Sequence, residues 1–101
     1  MVLGGMVTLC VRDASVAVRF YIETLGMKLV ASREGAEVLD AGDGFLLELK
    51  NGAQRGGAEV TFYAKVPLAE AIAIYENRGI VFDPDGRFAD PDGNALRLAA
   101  R

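Results

Sequence analysis

The segment Met6–Gly26, MVTLCVRDASVAVRFYIETLG, is answered by Glu59–Gly79, EVTFYAKVPLAEAIAIYENRG, and this echo decides how the 101 residues are to be read. Each segment opens on an apolar-polar alternation, passes into helical spacing and stops at a glycine. Val7-Thr8 return as Val60-Thr61, and Glu23 and Gly26 return as Glu76 and Gly79, all at an offset of 53. The helix faces agree better at an offset of 54, where Ala14, Ala17, Val18 and Tyr21 match Leu68, Ala71, Ile72 and Tyr75. That slip is a blemish in the repeat. The shared order of strand, helix, glycine and short strands still favours duplication over chance.

Working outward, Met6–Arg12 alternates as a strand, with Val7, Leu9 and Val11 on one face and Met6, Thr8 and Cys10 on the other. Asp13 suits a helix N-cap, Ala14–Leu25 carries one apolar stripe, and Gly26 suits a C′ stop. Met27–Ser32, Ala36–Asp40 and Phe45–Lys50 read as three short strands. In the second half, Glu59–Lys65 repeats the first strand and Pro67 suits the first turn of a helix ending at Gly79. Ile80–Phe82, Arg87–Ala89 and Asn94–Ala99 are the remaining strands. The turns Asp83-Pro84-Asp85-Gly86 and Asp90-Pro91-Asp92-Gly93 have type I chemistry and are read as tight turns only. The expectation is one α+β domain over residues 1–101, with a first βαβββ module at 6–50, a linker at 51–57 (Asn-Gly-Ala-Gln-Arg-Gly-Gly) and a second module at 58–101, their curved sheets sharing a cleft.

Composition narrows the function. Apolar residues make up 51% of the chain and charged residues 25%, as in a globular protein. A net charge of −3 without a Lys/Arg cluster argues against nucleic acid. No apolar run approaches the ~20 residues that span a bilayer, and Met1–Gly5 lacks the features of a signal peptide. The single cysteine, Cys10, cannot form an internal disulfide, so a reducing, cytoplasmic setting is expected. There is no histidine, which removes imidazole metal ligands and histidine acid-base or nucleophile chemistry.

Val11-Arg12-Asp13 leading to Phe20-Tyr21 and Leu25-Gly26, then Gly79 and Phe88-Ala89-Asp90-Pro91-Asp92-Gly93-Asn94, resemble the vicinal oxygen chelate superfamily of glyoxalases, bleomycin resistance proteins and extradiol dioxygenases. The resemblance covers nearly the whole chain and rests on order and spacing. It implies paired βαβββ modules around one cleft. In metal-dependent members the ligands, usually His or Gln and Glu, come from the first and last strands of each module. Carried over, those positions are Met6, Glu48, Glu59 and Arg97.

Chemistry then weighs against an ion. A thioether is a soft ligand, and a guanidinium cannot give up its proton to coordinate. Two glutamates remain where three or four ligands are needed, and Arg97 adds a fixed positive charge. Two readings of Arg97 stay open: an internal ion pair with Glu59 or Glu48, or a fork onto a carboxylate or phosphate of a ligand. Thr8, Thr61 and Tyr63 would add polar contacts, with Met6 and Leu46 as apolar wall; Tyr63 reads equally as an ordinary half-buried strand aromatic. The leading expectation is a metal-independent small-molecule-binding protein with no cofactor and no catalytic residue, sequestering a drug or metabolite. The alternatives are a metal-dependent lyase, isomerase or dioxygenase using Glu48 and Glu59, and a ligand-free structural or dimerisation module. The resemblance also implies a homodimer.

Overall fold

The alternation of Val7, Leu9 and Val11 with Met6, Thr8 and Cys10 becomes β1 (Gly5–Val11). The computed structural model describes residues 1, 3–54 and 58–101. It divides into two compact units, Met1–Arg55 and Gly56–Arg101, and each is taken by itself.

In the first unit β1 leads through Asp13 into α1 (Ala14–Arg19), whose turns continue as a π turn over Phe20–Thr24. Then come β2 (Lys28–Arg33), β3 (Ala36–Asp40) and β4 (Phe45–Asn51). The sheet order is β1-β4-β3-β2, with β1 and β4 parallel and the other pairs antiparallel. The helix packs on β3 and β4 because its apolar stripe meets one face of the sheet. Ala14, Ala17, Val18 and Tyr21 are buried there with Leu9, Val11, Leu39, Leu47 and Leu49.

All four N-terminal amides of α1 are satisfied. Asp13 accepts from Ser15 N at 3.0 Å through its side chain, and its carbonyl accepts from Val16 N and Ala17 N. Ala14 N donates to Asn51 Oδ1 at 2.7 Å. Asn51 was expected to open a linker, but it is the last residue of β4 and caps the helix. The rest of that linker in part, Arg55–Gly57, lies outside the described residues.

The π turn explains the slip in the repeat. Leu25 N donates to Phe20 O, five residues back, and Met27 N reaches Tyr21 O across six. In the second unit Ile80 N reaches Tyr75 O across five, with Gly79 N to Glu76 O, the Schellman pattern. Gly26 and Gly79 both hold positive φ, 81° and 93°. The first helix therefore carries one extra residue between its core tyrosine and its stop glycine. Since Tyr21 pairs with Tyr75 and Glu23 with Glu76, that residue is Ile22, and the π turn absorbs it.

The second unit runs β5 (Glu59–Tyr63), α2 (Leu68–Glu76), β6 (Arg87–Ala89) and β7 (Ala95–Ala99), in sheet order β5-β7-β6. β5 and β7 are parallel, β6 and β7 antiparallel. Val60, Ala71, Ile80, Phe88, Leu96 and Leu98 are buried. The two Asp-Pro-Asp-Gly turns close identically: each leading Asp side chain accepts from the backbone amides two and four residues on. They leave only Arg87–Ala89 between them as strand. Ile80–Phe82, expected as a strand, has no ladder; the single backbone bond from Asp83 N to Arg87 O closes the turn behind it. Phe82 packs instead edge-on against Phe88, with centroids 5.1 Å apart. Among the described residues no helix is long and apolar enough to cross a membrane.

Candidate functional site

Every residue singled out from the sequence stands on the sheet face opposite the helix of its own unit, because side chains alternate along a strand and the bulky partners point to the helix. In the first unit the register sets Met6 beside Leu46 and Thr8 beside Glu48. Met6 is 47% exposed and Leu46 half-buried, an apolar patch open to solvent. Thr8 Oγ1 donates to Glu48 Oε1 at 2.8 Å, and Arg33 Nη2 stands 3.8 Å from Glu48 Oε2. The Glu48 side chain retains 15% of its exposure, whereas Arg33 retains 67%. Both oxygens of the carboxylate are thus engaged within this unit.

In the second unit the register aligns Thr61, Arg97 and Arg87 in one row and Glu59, Ala95 and Ala89 in the next. Arg87 reaches across β7, above the small Ala95, and its Nε donates to Glu59 Oε2 at 2.7 Å. Its Nη1 donates to Asp85 Oδ2 at 3.0 Å. The hydrogen bond to Glu59, reinforced by that carboxylate's charge, holds the Arg87 guanidinium above its usual pKa. Of the readings left open for Arg97, an internal ion pair with Glu59 is not formed among the described residues, where Arg87 holds Glu59. Arg97 instead donates its Nε to the Asp85 carbonyl at 3.1 Å. The turn places that carbonyl there: Gly86 O accepts from Leu98 N at 2.9 Å and binds Asp83–Gly86 to the side of β7. Tyr63 is 60% exposed, more open than the half-buried strand aromatic of one reading.

Two residues went unread in the sequence. Arg87 was legible in principle, since alternation about the buried Phe88 puts it on the face of Arg97. Arg33 was not, because it stands next to a turn and reaches Glu48 diagonally across β3.

The donor set does not suit a metal ion. Of the four positions carried over by resemblance, Met6 offers a thioether and Arg97 a cation, Glu59 is held by Arg87, and Glu48 by Thr8 and Arg33. Among the described residues no three His, Cys, Asp or Glu side chains gather as a ligand group.

No protein-family model and no curated protein matches this chain. Solved structures do. The integron cassette protein HFX_CASS4, from the mobile metagenome of the Halifax Harbour sewage outfall, is 20% identical over 100% of both chains, with a TM-score of 0.82. TnmS3, an antibiotic binding protein from Streptomyces sp. CB03234, is 23% identical over 99% of this chain and 96% of its own, with a TM-score of 0.81. A member of the glyoxalase/bleomycin resistance protein/dioxygenase superfamily from Sphaerobacter thermophilus is 22% identical over 100% of this chain and 98% of its own, with a TM-score of 0.80.

Proposed function

We propose that this chain, which has the vicinal oxygen chelate fold of the glyoxalase/bleomycin resistance/dioxygenase superfamily, binds a small organic molecule without a metal ion and without chemical turnover. One observation carries the reading: Glu59, at a position where family members hold a metal, is ion-paired to Arg87 at 2.7 Å. A divalent ion would have to displace a charge-assisted hydrogen bond and then sit near two guanidinium groups. In the first unit one face sets Met6 and Leu46 beside Thr8 and Glu48, and in the second one face sets the Tyr63 ring beside Thr61, Glu59 and Arg97; each taken by itself mixes apolar and polar groups as small-molecule sites do. The antibiotic binding of a structural neighbour supports the same reading. A metal-dependent lyase, isomerase or dioxygenase would need Glu48 and Glu59 free, and both are engaged by arginines of their own units. A homodimer belongs to the proposal and is checked by light scattering.

The test is a thermal-shift screen of EDTA-treated protein against drugs and metabolites, with elemental analysis of the untreated protein. Stabilisation by at least one compound in EDTA is expected, since a ligand bound only by the native state raises its stability with concentration. Stoichiometric metal whose removal abolishes ligand binding would overturn the proposal.

A further inference from the structure

The second unit's open face carries an arrangement that narrows the ligand class. Four charged side chains lie close together there, yet they are not equivalent. Arg87 is consumed: Glu59 takes its Nε and Asp85 takes its Nη1. Arg97 is oriented but not neutralised. Its Nε donates to a neutral backbone carbonyl, that of Asp85, and among the described residues its Nη1 and Nη2 have no partner. A guanidinium tethered at Nε keeps its terminal nitrogens as a planar fork of donors, the geometry that matches two oxygens of a carboxylate.

The residues around that fork match one kind of molecule. Thr61 is the Cα partner of Arg97 and sits one row from Glu59. One row further, Tyr63 pairs with Ala99, and its ring is 60% exposed beside that small residue. A fork, a hydroxyl and an open aromatic ring thus follow one another along β5 and β7. Glu59 and Asp85 share the one charge of Arg87, so with Arg97 the four side chains carry no net charge, and the terminal nitrogens of Arg97 are the donors left for an anion.

We infer that the ligand of this face is an aromatic carboxylate, its carboxylate forked by Arg97 Nη1 and Nη2 and its ring laid on Tyr63. The inference rests on the small-molecule reading above and names the ligand class for it.

The experiment is a titration of isotope-labelled full chain in EDTA, followed by NMR, with three probes of one shape: benzoate, neutral benzamide and cationic benzylammonium. Inorganic phosphate is a fourth. Benzoate is expected to give saturable shifts at Thr61, Tyr63 and Arg97, with benzamide weaker by about tenfold, the scale of one charge-assisted contact. Arg97→Gln is expected to bring benzoate down to the affinity of benzamide, and Arg97→Lys, which keeps charge but loses the fork, to fall between. Spectra of the two variants without probe report whether each is folded, and either one suffices.

Benzamide or benzylammonium binding this face as tightly as benzoate would overturn the anion assignment and leave small-molecule binding standing. So would benzoate affinity unchanged in Arg97→Gln. Phosphate saturating the face as well as benzoate, with Tyr63 unmoved, would overturn the aromatic part. If no probe and no compound of the thermal-shift screen bound, both readings would fall together.

Discussion

Arg87 and Glu59, 28 residues apart in sequence, meet at 2.7 Å across an intervening strand whose residue beside Glu59 is the small Ala95. The pair has a definite chemical effect, since it turns a potential metal ligand into half of an ion pair.

Its effect on stability is a separate matter. The Arg87 and Glu59 side chains retain 46% and 33% of their exposure, so water and salt screen their attraction. Arg87→Gln and Glu59→Gln are each expected to shift the denaturation midpoint only slightly, and the shift should vanish in molar salt. A large loss that persists in salt would show a structural role for the pair.

Gly86 is a stricter requirement. It holds φ at +82°, and a Cβ built there would overlap the Leu98 carbonyl oxygen. Gly86→Ala is expected to cost roughly 1–2 kcal/mol for the left-handed backbone and roughly 1–3 kcal/mol more for the overlap with a backbone atom. Gly26→Ala, at φ +81° with nothing within 4 Å of the new Cβ, is expected to show only the first cost. Urea denaturation of the two variants side by side measures the difference.

Deleting Ile22 is expected to be tolerated. The second half of the repeat has no residue at that place: its helix ends at Glu76 and closes on Gly79 through Arg78 N to Tyr75 O and Gly79 N to Glu76 O, without a π turn. The deletion should convert the π turn to α-helix, keep Tyr21 in the core and hold the melting temperature within a few degrees. Circular dichroism and a melting curve check this. Loss of the cooperative transition would mean that the π turn is needed for the packing of the first unit.

Asp13 makes the first helix sensitive to acid. The Ser15 hydroxyl, 2.6 Å from Asp13 Oδ1, is the main cause that holds this carboxyl below its usual pKa; desolvation opposes it, and the Ser15 and Val16 amides add to the lowering. A depressed folded-state pKa stabilises above the unfolded value, and the contribution is lost as pH falls through the folded one. Asp13→Ala is therefore expected to be less stable than the parent at neutral pH. The gap should narrow as pH drops below about 4, the range of an ordinary Asp carboxyl. A gap independent of pH would mean that the carboxylate charge contributes nothing to the cap.

The comparison of sequence with structure divides at the level of single strands. Period-two alternation in Met6–Arg12, Phe45–Lys50 and Glu59–Lys65 was enough to assign each side chain to a face, because a strand offers only two. The stop glycines Gly26 and Gly79 were enough to bound the helices, and the offset between them placed the repeat. The same patterning put Met6 and Glu48 on one face of their sheet and Glu59 and Arg97 on one face of theirs. It misread Ile80–Phe82, which forms no ladder: Phe82 packs on Phe88 while Val81 stands exposed. It also misread Asn51, whose turn-like composition conceals a strand end that caps a helix 37 residues away.

Which charge meets which was decided by tertiary structure. Strand order and register brought Arg87, not Arg97, to Glu59, and a backbone bond from Leu98 to Gly86 brought the Asp85 carbonyl to Arg97. The physical reason is one of range. Alternation and capping act between residues a few positions apart and so are written locally, whereas an ion pair depends on the ångström spacing of strands that meet only after the chain has folded.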